Sequence, residues 1–214
     1  MHLFIPSPSG HLESLLTEPK ITPHEWGCVL CHPHPQFGGT MHTKAIFRSA
    51  RALQSLGMVT LQFNFRGVGQ STGTFDEGRG EKDDVRAAVD FLRGRYPDAR
   101  LALLGFSFGA WVGLQVGAED DRIVQLIGLG IPFSISSFSF LNASVKLKLI
   151  IQGSRDEFGS REAIETWYET LSEPKKLVLI EGANHLFDGK IHELQKSIVE
   201  YFSEQYSMGA VNPI

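Results

Sequence analysis

The 214-residue chain has no run of five or more basic residues, and its formal charge is −4. That excludes the electrostatic footprint of a nucleic-acid binder. No uninterrupted apolar stretch reaches membrane-spanning length. The start, Met1-His2-Leu3-Phe4-Ile5-Pro6, lacks the basic region, long apolar stretch and small-residue cleavage site of a signal peptide. A cytoplasmic address, with neither a membrane nor a nucleic acid as partner, is therefore expected. Internal repeats and low-complexity segments are missing too. Cysteine is scarce, but its two copies spell Cys28-Val29-Leu30-Cys31-His32, the c-type haem attachment pattern. Residues 26–31 read as a short apolar strand, on which positions three apart point to opposite faces. Two such sulfurs cannot grip one haem or one metal, so buried thiols are expected.

What is present reads as one domain over residues 1–214, with 42% hydrophobic and 21% charged residues, enough for a full core. Residues 1–18 suggest an edge hairpin around Pro6-Ser7-Pro8-Ser9-Gly10, and 19–23 a connector. Apolar β-runs follow at 26–31, 58–65, 100–104, 123–129, 147–152 and 177–180. Helical periodicity lies between them at 44–56, 81–95, 110–118 and 161–171, and again at 190–206. Residues 207–214 are expected to be loose. Strands alternating with helices at this spacing define an α/β fold, a mostly parallel sheet with helices on both faces.

The stretch around which the rest is organised is Gly105-Phe106-Ser107-Phe108-Gly109, placed between a strand and a helix. Gly-x-Ser-x-Gly in that setting is the pattern of a nucleophile elbow. A serine at the tip of so sharp a turn takes a strained backbone, and its neighbours two away come too close for side chains. The turn also sets the serine at a helix N-terminus, where free N–H groups can hold a developing negative charge.

A serine hydroxyl is a weak nucleophile and requires a base, which in turn requires an orienting acid. In the order serine, acid, histidine, Asp156 follows Ser107 by 49 residues and His185 follows Asp156 by 29. Each of the two falls just after a strand. Glu157 and Asp188 are rival carboxylates. Among the other histidines, His2, His11, His24, His42 and His192 read as surface or packing residues, while His32 and His34 lie near the same end of the sheet. An oxyanion hole needs two backbone N–H groups, the first from Phe108. The second should come from the loop 32–40, where Pro33 and Pro35 have none. His34, Gln36 and Phe37 remain, with Phe37 favoured and Gln36 close behind. Gly67-Val68-Gly69 imitates a dinucleotide fingerprint, but Gly73 falls one position late and no helix opens there.

These features, with His32-Pro33-His34-Pro35, Gly38-Gly39-Thr40-Met41, Asn64-Phe65-Arg66-Gly67-Val68-Gly69, Ser71, Gly80-Glu81 and Asp84, resemble the α/β-hydrolase superfamily over nearly the whole chain. The resemblance is to its small lidless bacterial branch of carboxylic-ester hydrolases; dienelactone hydrolases are relatives with a cysteine in place of the serine. It implies serine-dependent hydrolysis of a small-molecule ester, without metal or cofactor, and structural roles for Arg66 and Asp84. A thioesterase, or an amidase or peptidase, would use the same triad. A non-catalytic binding module would be expected to lose triad members, and all three are here. Residues 131–146, where larger relatives carry a lid, are too few for a helical cap. Phe133, Phe138, Phe140 and Leu141 in that stretch either wall an acyl pocket or pack into the core.

Overall fold

Residues 1–20 and 25–209 are described by the computed structural model. His24, and part of the expected connector at 19–23, lie outside the described residues. Among these residues eight strands form one sheet: β1 (His2–Ser7), β2 (Gly10–Thr17), β3 (Trp26–Cys31), β4 (Val59–Phe63), β5 (Arg100–Phe106), β6 (Ile123–Leu129), β7 (Leu147–Gly153) and β8 (Lys175–Ile180). Their order is β1-β2-β4-β3-β5-β6-β7-β8. The hairpin β1–β2 joins β4 antiparallel, and every pair from β4 to β8 is parallel. Among the described residues, five α-helices lie between or after the strands from β3 onward: α1 (Lys44–Ser55), α2 (Arg79–Arg95), α3 (Phe108–Glu119), α4 (Arg161–Thr170) and α5 (Ile191–Gly209). Residues 207–209, expected to be loose, continue α5; 210–214 lie outside the described residues.

The inner strands are apolar on both sides because helices cover both faces. Val29, Leu61, Leu103 and Ile150 face one layer with Val85 and Val89 of α2 and Leu114 of α3. Leu30, Leu104, Ile127 and Ile151 face the other, with Ile46 and Leu53 of α1 and Leu194 and Ile198 of α5. The two cysteines divide in the same way. Cys28 packs in the α1/α5 layer and Cys31 in the α2/α3 layer, both free and fully buried. Burial pushes both thiols up. Residues 131–146 hold only a single 3₁₀ turn, Ser139–Leu141. Phe138 and Leu141 are buried in the core, and Phe133 and Phe140 pack against it. The packing reading of that segment therefore holds, and among the described residues no helical cap covers the sheet's end.

The Gly67-Val68-Gly69 loop is shaped by a polar knot. A Cβ on Gly69 would lie 2.3 Å from Glu13 Oε2 and 2.6 Å from Asn64 Nδ2. Asn64 Nδ2 and the Gln70 N–H both donate to that Glu13 carboxylate, tying the loop to the edge hairpin. Beside it, the fully buried Asp84 carboxylate accepts the Arg66 backbone N–H, Nε and Nη2 at 2.8–3.0 Å. Gly80 makes room for this guanidinium, since a Cβ there would sit 1.8 Å from Arg66 Nη1. Removing one partner of such a pair strands a charge whose side chain is only 12% exposed. Asp84→Ala should therefore cost about 3–5 kcal/mol of stability in urea denaturation. A loss below about 1 kcal/mol would show the pair to behave like an exposed one.

Candidate active site

Strand β5 delivers Ser107 to the C-terminal edge of the parallel strands, where α/β sheets carry their sites. Its φ of 55° and ψ of −118° form a strained conformation for a residue with a side chain. The Ser107 N–H donates to Leu129 O at 3.0 Å, and its carbonyl accepts Ala110 N–H and Trp111 N–H, opening α3. Both flanking glycines are demanded by contact, each with a different element. A Cβ on Gly105 would stand 2.3 Å from Gly109 O, and one on Gly109 would stand 2.3 Å from Cys31 O.

The loops after β7 and β8 are fastened to each other. Arg155 N–H donates to Ala183 O at 2.9 Å, Ser154 N–H donates to Ile180 O at 3.0 Å, and a Cβ on Gly153 would lie 2.4 Å from Ala183 O. This brings Asp156 and His185 together and sets both against the elbow. His185 Nε2 lies 2.9 Å from Ser107 Oγ, and His185 Nδ1 lies 2.9 and 3.1 Å from the two Asp156 oxygens. The imidazole is held between the Phe106 ring at 5.3 Å and the Phe158 ring at 4.7 Å. With Nδ1–H donated to the carboxylate, Nε2 is the acceptor for the serine proton. The rival carboxylates are engaged elsewhere. Glu157 accepts the His185 backbone N–H at 3.2 Å, and Asp188 accepts Asn184 Nδ2 at 3.0 Å.

In the loop 32–40 the arrangement departs from expectation. Pro35–Phe37 close a 3₁₀ turn whose C-cap Gly38 has a φ of 79°. Within it the Phe37 N–H donates to His34 O at 3.1 Å, and the Gln36 N–H donates to His34 Nδ1 at 3.2 Å. The 3₁₀ bond takes the Phe37 N–H and the capping His34 ring takes that of Gln36, so neither expected donor is free. The His34 N–H has no acceptor among the described residues. Its ring packs 4.9 Å from that of Phe108, beside the elbow. Phe108, the first residue of α3, carries one of the N–H groups that a helix leaves unpaired. His32 anchors this loop from below. Its Nδ1–H donates to Pro33 O at 2.6 Å and its Nε2 accepts Phe65 N–H at 3.0 Å. Burial pushes it down to about 4, so it is neutral at physiological pH.

His2, His42 and His192 are exposed and His11 half-buried, all away from this site. Among the described residues, no three or more His, Cys, Asp or Glu side chains are grouped to hold a metal ion. No described helix is long and apolar enough to cross a membrane. Sequence reading passed over Gln152, whose amide reaches Asp156 at 2.8 Å. Its signal was a polar residue at the end of the strand, directly after the apolar run Leu149-Ile150-Ile151.

The chain belongs to the α/β-hydrolase family: residues 29–201 match the Alpha/beta hydrolase domain. Its relatives include the small bacterial serine hydrolases that lack a lid. A solved α/β serine hydrolase homologue from Coxiella burnetii is 35% identical with a TM-score of 0.89, covering 94% of this chain and 96% of that one. One from Xanthomonas campestris, described as a serine hydrolase without lid, is 36% identical with a TM-score of 0.86, covering 92% and 91%. An uncharacterized protein of Rickettsia prowazekii is 32% identical over 208 residues, 93% of this chain and 87% of that protein.

Proposed function

We propose that this hydrolase cleaves small carboxylic esters through an acyl-enzyme on Ser107. The observation that carries the reading is the unbroken chain from Ser107 Oγ to His185 Nε2 to Asp156, mounted on a strained elbow. Ser107 Oγ attacks the acyl carbon while His185 takes its proton. The imidazolium, steadied by Asp156, then gives that proton to the leaving alkoxide. Water attacks the acyl-enzyme with His185 as base in the second half, and the acid leaves with Ser107 regenerated. The N–H groups of Phe108 and His34 are the proposed oxyanion donors, His34 replacing Gln36 and Phe37 because, of the three, its N–H alone has no acceptor among the described residues.

The size limit follows from the rim. Segment 131–146 is packed down rather than raised over the site. The apolar groups bordering His185, Phe158 and Leu186, are 38% and 52% exposed. Each buried methylene is worth about 0.8 kcal/mol, but an open rim can bury only a few. Activity (kcat/KM) on p-nitrophenyl esters should rise from acetate to butyrate or hexanoate, then flatten or fall, with no activation above the solubility limit. Steadily rising activity through C12–C16 esters, or a jump at the interface, would sink the small-ester reading. A higher kcat/KM on thioesters of the same acyl chain would make this a thioesterase.

A further inference from the structure

Gln152 is the last side chain of β7 before Gly153, and it is fully buried. Its Nε2 donates to Asp156 Oδ2 at 2.8 Å, to Gly159 O at 3.1 Å and to Ile131 O at 3.3 Å. Its Oε1 accepts the Ile131 N–H at 2.7 Å. Two amide hydrogens thus serve three acceptors, and the shortest bond goes to the only charged one. The cluster leaves no slack, since a Cβ on Gly159 would lie 2.4 Å from Ile131 O and 2.6 Å from Gln152 Nε2. The other Asp156 oxygen is held by the Phe158 N–H at 2.8 Å. The carboxylate therefore has a fixed donor on each oxygen and the imidazole between them.

We infer, on the triad reading above, that Gln152 is a positioning residue for catalysis. It fixes the angle and the shared charge of the Asp156 carboxylate, and it locks the loops after β6 and β7 to one another. The bonds to Ile131 and Gly159 brace the two loops, and the bond to Asp156 is the one that reaches the triad. Around the imidazole the charged groups among the described residues are Asp156 and Glu157; β5 and the loop after β6 bring Phe106 and Gly130 against it.

The test is Gln152→Met, of similar volume, beside Gln152→Glu, which keeps the acceptor for Ile131 N–H but sets a second carboxyl against Asp156. For Gln152→Met, kcat on p-nitrophenyl butyrate should fall about 10- to 100-fold with KM within about twofold. The acidic limb of its kcat/KM–pH profile should move up by about half a unit to one unit, because the carboxylate no longer shares its charge with the amide. For Gln152→Glu the limb should move up by about one unit or more. If Gln152→Met does not fold, the Gln152→Glu profile decides alone. Wild-type kcat and an unmoved acidic limb, even with a lowered Tm, would overturn the inference. Ser107→Ala separates this from the broader reading: an inactive Ser107→Ala beside normal Gln152 variants refutes the role of Gln152 only. An active Ser107→Ala refutes the triad itself.

Discussion

Replacing Ser107 by alanine is expected to abolish ester hydrolysis and labelling by a fluorophosphonate while leaving the fold in place. The substitution removes one half-buried hydroxyl whose side-chain bond is to His185 Nε2, so one ring nitrogen loses a neutral partner and no ion pair is broken. The elbow keeps its shape, since alanine occupies the same strained φ at the cost serine already bears. What goes is the proposed nucleophile, and loss of one member of a catalytic triad lowers turnover by about 10⁴- to 10⁶-fold. Circular dichroism and urea midpoint should match wild type. Wild-type turnover of p-nitrophenyl acetate by the alanine variant would remove Ser107 from the mechanism and, with it, the proposed reaction.

The second large effect is expected at the acid. Both Asp156 oxygens receive fixed N–H donors, from Phe158 and Gln152, as well as from His185 Nδ1. An asparagine there must turn its NH₂ toward one of those donors, or toward the imidazole. Either a buried donor is left unpaired, or His185 is driven to the tautomer that carries its proton on Nε2 and cannot accept from Ser107. Asp156→Asn should thus lower kcat by about 10⁴-fold. Asp188→Asn is the matched control, because Asp188 is exposed and, among the described residues, pairs with Asn184. Its activity should stay within about twofold of wild type. The reverse ranking would transfer the acid role to Asp188.

The legible parts of this molecule are those governed by local rules. Strand and helix periods come from which neighbours share a face, so β3, β5, β6 and β7 could be read from runs such as Leu101-Ala102-Leu103-Leu104. The opposite burial of Cys28 and Cys31 follows from the same period of two. The elbow was legible because a turn that tight rejects side chains at two fixed positions. Even there, the sequence could not say that Gly109 is pressed by the carbonyl of Cys31, a residue 78 positions earlier.

The chain alone determined the α/β alternation, the elbow at Ser107 and the serine–acid–histidine order, because spacing and glycine chemistry constrain them. Which N–H groups of loop 32–40 stay free was decided only in three dimensions, where a 3₁₀ bond takes that of Phe37, the His34 ring takes that of Gln36, and that of His34 is spared. So was the fate of Phe138 and Leu141, which read equally as pocket wall or core until they were seen packed beneath the open rim. The hold of Gln152 on Asp156 was decided there too. A hydrogen bond has direction as well as reach, and direction is set by the way separate loops close on one another, which no spacing along the chain encodes.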